Sequence, residues 1–233
     1  KAAVWMDALW IWIPLVEIIQ KQHLRILSGA ILQQPLCAWK NEAECATIEA
    51  RRVPRRTERE GGNEMFRGAR HSDLEQILDI YARARKAMAA SGNPTQWGDS
   101  YPPREMLEED IDANRLFIYT VNGRLEAVFA FILGPDPTYA KIEGGKWLND
   151  TLPYGTIHRL ASAGHRKGVT DEVITWCLEH CESLRADTHE DNKIMQHLLK
   201  KNGFARCGII LADDGKPRIA YQKLSATLPL RAE

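Results

Sequence analysis

The sequence has no excess charge of either sign: Lys plus Arg and Asp plus Glu both count 31. That balance withholds the basic field a nucleic acid would need, so no nucleic-acid partner is expected. It also lacks an apolar run long enough for a membrane span, which needs about 20 residues. The nearest candidate, "ALWIWIPLV" at residues 8–16, is bracketed by Asp7 and Glu17. The following "EIIQKQH" is a poor cleavage region for a secretory leader. Cysteines are few and irregularly spaced: Cys37, Cys45, Cys177, Cys181 and Cys207. That argues against a disulfide framework and for a reducing, cytoplasmic compartment. Cys177, His180 and Cys181 share a helix turn, but their spacing is not that of usual zinc sites, and no metal is expected.

What is present falls into two unlike parts. Residues 51–64, "RRVPRRTEREGGNE", are dense in Arg and Glu, hold Pro54 and end in Gly61-Gly62. That is linker composition. Regular patterning starts at Met65. Residues 1–64 are therefore expected to be an extension and linker, or an overlong reading of the gene, outside the working domain. A docking role for them on a membrane or partner is the competing expectation. The domain is placed at 65–224, with 225–233 as a tail.

Within the domain, "MFRGAR" reads as a strand, and residues 71–90 as an amphipathic helix capped by Ser72. A second helix, "REMLEEDIDAN", follows two prolines. The runs "RLFIYTV" and "RLEAVFAFIL" flank Asn122-Gly123, a strong hairpin signal. Residues 134–154 read as irregular. "GTIHRLAS" and "LRADTH" read as strands, each followed by a helix, and "FARCGIIL" with "KPRIAYQKL" as a closing hairpin. The resulting order is β-α-α-β-β-β-α-β-α-β-β. Its β-α-β step demands one parallel pair in an otherwise antiparallel sheet, an α/β or α+β domain with helices on both faces.

Two stretches carry a more specific signal. The first is His165-Arg166-Lys167-Gly168-Val169-Thr170, between a strand and the helix "DEVITWCLEHC". A helix start offers unpaired N–H groups and partial positive charge to a phosphate, and Gly168 permits close approach. Asp171 and Glu172 in the first turn oppose that use. The second is Asn192, Met195, Leu198, Leu199, Gly203 and Phe204 in "DNKIMQHLLKKNGF". Gly203 suits a helix C-cap, and Phe204 the first core position of the next strand.

The element order and these two stretches resemble the GNAT superfamily of acetyl-CoA-dependent N-acyltransferases, over about residues 65–224. The resemblance implies a mixed sheet whose central parallel pair splays apart, with acetyl-CoA as acyl donor and an amine as acceptor. It carries cofactor roles onto the loop His165–Thr170 and onto Asn192 and Met195. It also implies main-chain contacts to the thioester from Leu160, Ala161 and Ser162. It leaves a homodimer open. This sequence departs from the family at His165, at Thr170, and at Leu199, where many members carry a proton-donating Tyr. A catalytically degenerate module that binds CoA or another ligand is the alternative.

For the proton on the acceptor amine, the candidate bases are His189, oriented by Asp187 two residues earlier on the same strand face, and His158. The acceptor pocket is expected from the variable loops, with Trp97, Tyr101, Trp147 and Tyr154 as walls. Acidic residues Asp99, Glu108, Glu109 and Asp110 could attract a cationic amine.

Overall fold

A computed structural model describes residues 56–58 and 64–225. The apolar run 8–16, most of the expected linker, and residues 226–233 lie outside the described residues. Strands are β1 (Arg56–Glu58), β2 (Glu64–Gly68), β3 (Leu116–Val121), β4 (Arg124–Leu133), β5 (Tyr154–Ser162), β6 (Ser183–Thr188), β7 (Ala205–Leu211) and β8 (Pro217–Leu224). Helices are α1 (Leu74–Ala90), α2 (Arg104–Asp112), α3 (Val169–Leu178) and α4 (Lys193–Lys201). From β2 onward the elements follow the expected order.

The strands form one sheet in the order β1-β2-β3-β4-β5-β6-β8-β7. All neighbours are antiparallel except β5 and β6. The mixed sheet with one central parallel pair is thus the architecture expected. At the β3–β4 turn, Asn122 and Gly123 have φ of 52° and 76°. Positive φ at both central positions is the type I′ geometry that Asn-Gly selects.

Three local expectations need correction. Arg56–Glu58, inside the stretch read as linker, pair with Arg67–Met65 as an edge strand. Ser72 does not cap α1. A 3-10 turn at His71–Asp73 precedes the helix, and the Asp73 carboxylate accepts from the Arg70 N–H at 2.8 Å. That carboxylate also takes both arms of Arg67, at 2.7 and 2.8 Å, so Asp73 secures the 3-10 turn and no side chain caps α1 itself. Finally, α3 ends at Leu178 rather than running through "EHCES".

The sheet divides two cores. On one face α1 and α2 bury Leu74, Ile77, Tyr81 and Leu107 against Ile118, Val128 and Ala130. On the other, α3 buries Val173, Ile174 and Trp176, and α4 adds Leu199. Trp176 is fully buried, with ring centroids 5.0 Å from Phe66, 5.2 Å from Phe117, 5.7 Å from Phe129 and 5.9 Å from Phe131. These contacts fix α3 across β2–β4, and so fix where its N-terminus points. Among the described residues no helix is long and apolar enough to cross a membrane.

The long 134–154 segment is tied to the sheet, although most of it has no regular structure. Glu143 and Ile209 exchange two main-chain hydrogen bonds, both 2.8 Å, covering part of the β7 edge. A Cβ on Gly145 would lie 1.9 Å from the Cys207 carbonyl oxygen, so only glycine permits that approach. The Arg185 guanidinium is clamped between Trp147, at 4.0 Å, and Tyr154, at 3.8 Å.

Trp176→Ala should cost about 3–5 kcal/mol, the usual range for emptying a buried aromatic site. Urea unfolding measures it; a loss below about 1 kcal/mol would contradict the central role given to this ring.

Candidate active site

The site begins where a strand pair ends. β5 and β6 pair in parallel from Tyr154 opposite Ser183 to Ile157 opposite Ala186, and no further. β6 continues against β8 up to Thr188, while β5 continues against β4 up to Ser162. Between these stretches the two strands part. Beyond Ile157 the β6-facing edge of β5 has no strand partner among the described residues.

The parting coincides with a register slip between β4 and β5 at Val128/Ala130. Opposite it, Arg159 has φ of 53°, the left-handed region that non-glycine residues seldom occupy. Such a conformation persists only when its surroundings hold it. Here the Tyr81 hydroxyl donates to the Arg159 carbonyl at 2.9 Å, and the Arg159 guanidinium donates to Asp110. A cleft of about 1000 Å³ opens at the parting and is lined from both faces of the sheet. Met88 and Trp97 reach it from the α1 side, Ile174 and Leu199 from the α3 side.

His158 lines this cleft. Its Nε2 is 2.7 Å from the Asp136 carboxylate, and its Nδ1 is 3.9 Å from Asp187. Asp187 accepts a 2.6 Å hydrogen bond from the Tyr139 hydroxyl. Burial pushes the Asp136 carboxyl up, but hydrogen bonds from His158 and Thr138 outweigh it and lower the group from 3.8 to about 2. Burial, reinforced by the Asp187 charge, pushes the Tyr139 phenol well up, so it stays a donor to that carboxylate. An ionised Asp136 can accept the Nε2 proton, and in the neutral ring that tautomer leaves the lone pair on Nδ1.

The pairing of Asp187 with His189 is not made. β6 ends at Thr188, so the alternation that would align the two side chains stops one residue short. The His189 Nδ1 instead accepts from the Asp191 N–H at 3.2 Å and faces the Asp191 carboxylate at 3.4 Å. His158, the second of the two candidate bases, is the one that Asp187 faces.

None of His165–Thr170 lines this cleft. Within that stretch, Gly168 precedes α3 with φ of 84°. Thr170 lies inside the helix and is not its cap. Among the described residues, no hydrogen bond from the main-chain N–H groups of 165–171 is found, as expected at a helix start. The first-turn carboxylates are engaged sideways. Asp171 takes Lys201 Nζ and Asn202 Nδ2, both at 2.7 Å, and these bonds lower its carboxyl. Glu172 takes Arg166 at 2.6 Å. Arg166 also reaches Glu64 and the Tyr119 hydroxyl, both at 3.2 Å, so it is not the unengaged cation the sequence suggested. His165 faces the buried Glu126 at 3.4 Å. Asn192 caps α4 by accepting from the Met195 N–H at 3.0 Å, and its amide donates to Gln96 at 3.0 Å. Asn192, Met195, Leu160, Ala161 and Ser162 all line the cleft.

Of the four expected pocket aromatics, Trp97 and Tyr101 line the cleft. Trp147 and Tyr154 do not: they hold Arg185 beneath the loop, and the Tyr154 hydroxyl accepts from the Asp136 N–H at 2.9 Å. They support the site from behind. Asp110 is buried between two arginines rather than offered to a cation. Sequence reasoning missed Asp136, Tyr139 and Arg159. Asp136-Pro137 reads only as a turn signal. Its link to His158 appears once β4 and β5 pair, bringing Leu133 opposite Gly155.

No protein-family model and no curated protein matches the chain. Solved structures do. A GNAT-family acetyltransferase from Streptococcus agalactiae 2603 is 33% identical with a TM-score of 0.64, over 70% of this chain and 96% of that one. A GNAT-family acetyltransferase from Listeria monocytogenes 4b F2365 is 19% identical with a TM-score of 0.53, over 72% of this chain and 99% of that one, a likeness of fold.

The lowered Asp136 carboxyl has a consequence for acid stability. Its folded value lies below the unfolded one, so the stabilisation is complete above about pH 5 and is lost as the pH falls through about 2. The shift corresponds to about 2 kcal/mol. Asp136→Asn should therefore be less stable than the parent by about that amount at neutral pH, with the gap closing in acid. Urea titrations across the pH range test this, and a pH-independent gap would refute it.

Proposed function

Because the chain belongs to the GNAT family of acetyltransferases, we propose that it moves an acetyl group from acetyl-CoA to a primary amine of a small molecule or protein, by direct transfer. The observation that carries this reading is the parting of β5 from β6 with the His158–Asp136 pair beside it. The same reading assigns the activity to residues 65–224 and leaves residues 1–64 outside it, apart from the Arg56–Glu58 edge strand and Glu64, which extend the sheet of that domain. It places the protein in the cytoplasm, where the buried free thiols of Cys177, Cys181 and Cys207 would stay reduced.

The residues present fit such a donor. The N–H groups at the start of α3 suit a pyrophosphate, Gly168 lets it approach, and the sideways engagement of Asp171 and Glu172 reduces repulsion. The segment His165–Thr170 would hold that group, with Lys167 adding charge. Leu160, Ala161 and Ser162 would align the thioester through the unpaired edge of β5, where a main-chain N–H can meet the carbonyl oxygen. Asn192 and Met195 would flank the pantetheine arm. Acetyl-CoA supplies the activated acyl group.

The acceptor needs its ammonium proton removed. Asp187 would draw the cation in, and His158 Nδ1 would take the proton while Asp136 holds the ring through Nε2. Leu199 cannot protonate the departing thiolate. A thiol with a pKa near about 8.5 is a tolerable leaving group without that help. The same Leu199, together with the engaged Arg166, favours the second reading, a module that binds CoA without turnover.

Thiol release from acetyl-CoA over a broad amine panel separates the two readings: turnover removes the second. His158→Gln should lower kcat/KM by about 10²–10⁴, while His189→Gln should stay within a few-fold of the parent. The reverse ranking would overturn the assignment of the base. Stabilisation by CoA in a thermal shift assay tests the donor site. Gly168→Ala should weaken that stabilisation and cost the free protein about 1–2 kcal/mol, because its left-handed φ disfavours a Cβ.

A further inference from the structure

We propose that the acceptor is a small zwitterion, a free amino acid, whose carboxylate is held by Arg115 and Arg159 while its amine meets His158. The inference rests on the acetyl-transfer reading for the fate of the amine, and adds a second recognition point in the same cleft.

Arg115 and Arg159 share one carboxylate. Arg115 is 3.1 Å from Asp110, and Arg159 donates to the other oxygen of the same group. Asp110 is only 2% exposed. Two guanidiniums thus meet one buried carboxylate, and Glu109 is the other acidic side chain on this wall. Both arginine Nε atoms are buried and have no hydrogen-bond partner, and both residues line the cleft. Those Nε atoms are closed off, so a ligand would meet the two arginines through their remaining exposed surface, 43% of the side chain for Arg115 and 11% for Arg159. A guanidinium fork matches a carboxylate in plane and spacing.

The opposite wall has the opposite character. Asp136 and Asp187 flank the His158 ring, which suits an ammonium. Arg218, also in the cleft, already faces Asp214 at 3.3 Å. Glu109 lines the cleft too, and its charge opposes a carboxylate on its side. The two walls are joined by consecutive residues. The bulge in β5 lets both His158 and Arg159 reach the same cleft, so the base and the cation are one residue apart. An amino acid carries its amine and carboxylate on one carbon, which suits recognition by two consecutive residues of one strand that line the same cleft. A diamine would put its second ammonium against the arginine wall. A simple amine would leave that wall unmatched.

The test uses the full chain with acetyl-CoA and the common free amino acids, each against its own carboxamide, with thiol release as the readout. At least one amino acid should exceed its amide in kcat/KM by about 50-fold or more, because an unmatched buried polar group discriminates strongly. Arg115→Gln should collapse that preference to within about threefold, and Arg115→Lys should restore part of it. An amide or decarboxylated amine that reacts as well as the amino acid would overturn the inference while leaving acetyl transfer intact. So would a preference that survives Arg115→Gln. Calorimetric titration of amino acids into CoA-loaded protein gives the converse. Binding without turnover would support the carboxylate site and sink the transfer reading. The absence of both binding and turnover would overturn the zwitterion proposal.

Discussion

The cleft depends on β5 leaving β6 after Ile157. Parallel pairing elsewhere would be expected to run on, because each further pair adds hydrogen bonds. Here the bonds are forgone on one edge of β5 and replaced from another direction. Tyr81, anchored in α1, takes the Arg159 carbonyl, and Asp110, anchored in α2, takes the Arg159 side chain. β6 keeps its other edge paired with β8 along its whole length. The sheet therefore stays continuous around an opening at its centre. Helices α1 and α2 are part of that opening, since without their two side chains nothing would hold the left-handed residue in place.

Across the domain, charge is arranged so that few groups stand alone. Asp171, Glu172, Asp73 and Asp110 each meet a cation on a neighbouring element, and Asp136 meets His158. The polar atoms that remain buried and unpartnered include Arg115 Nε, Arg159 Nε and Thr188 Oγ1, all from residues lining the cleft. The loop that closes the site is fixed by three unlike devices: a pair of main-chain bonds to β7, a cation clamped between rings, and a glycine where a methyl would collide.

Much of the fold was legible because it is local. Asn122-Gly123 specifies its turn through φ alone, and the alternation in β3 and β4 specifies which residues face which core. The order of elements then implied the parallel pair. The site was legible only where its residues are contiguous, as in His165–Thr170 and Asn192–Met195, and there the identity of neighbouring partners stayed hidden. Arg166 looked available until the fold brought Glu64 beside it. The choice between His158 and His189 turned on where β6 ends, and a strand end shifted by one residue reverses which side chains align. Asp136 could not be found from spacing, because its partner lies across an antiparallel pair and an irregular loop.

Asp187 and Thr188 are neighbours in sequence, yet by strand alternation they face opposite sides of the sheet. Asp187 meets Tyr139 and His158 on one side, while Ala186, two residues before Thr188, belongs to the core under α3. The sheet is thus a partition, with a doorway one strand wide. On the acetyl-transfer reading, a donor arriving past α3 and an acceptor arriving past α2 would occupy separate rooms and touch only at that doorway. Water has to use the same gap. On that reading, how completely an acceptor plugs the gap would set the balance between acyl transfer and wasteful hydrolysis, so selectivity against water would reside in the backbone separation of two strands as much as in any side chain.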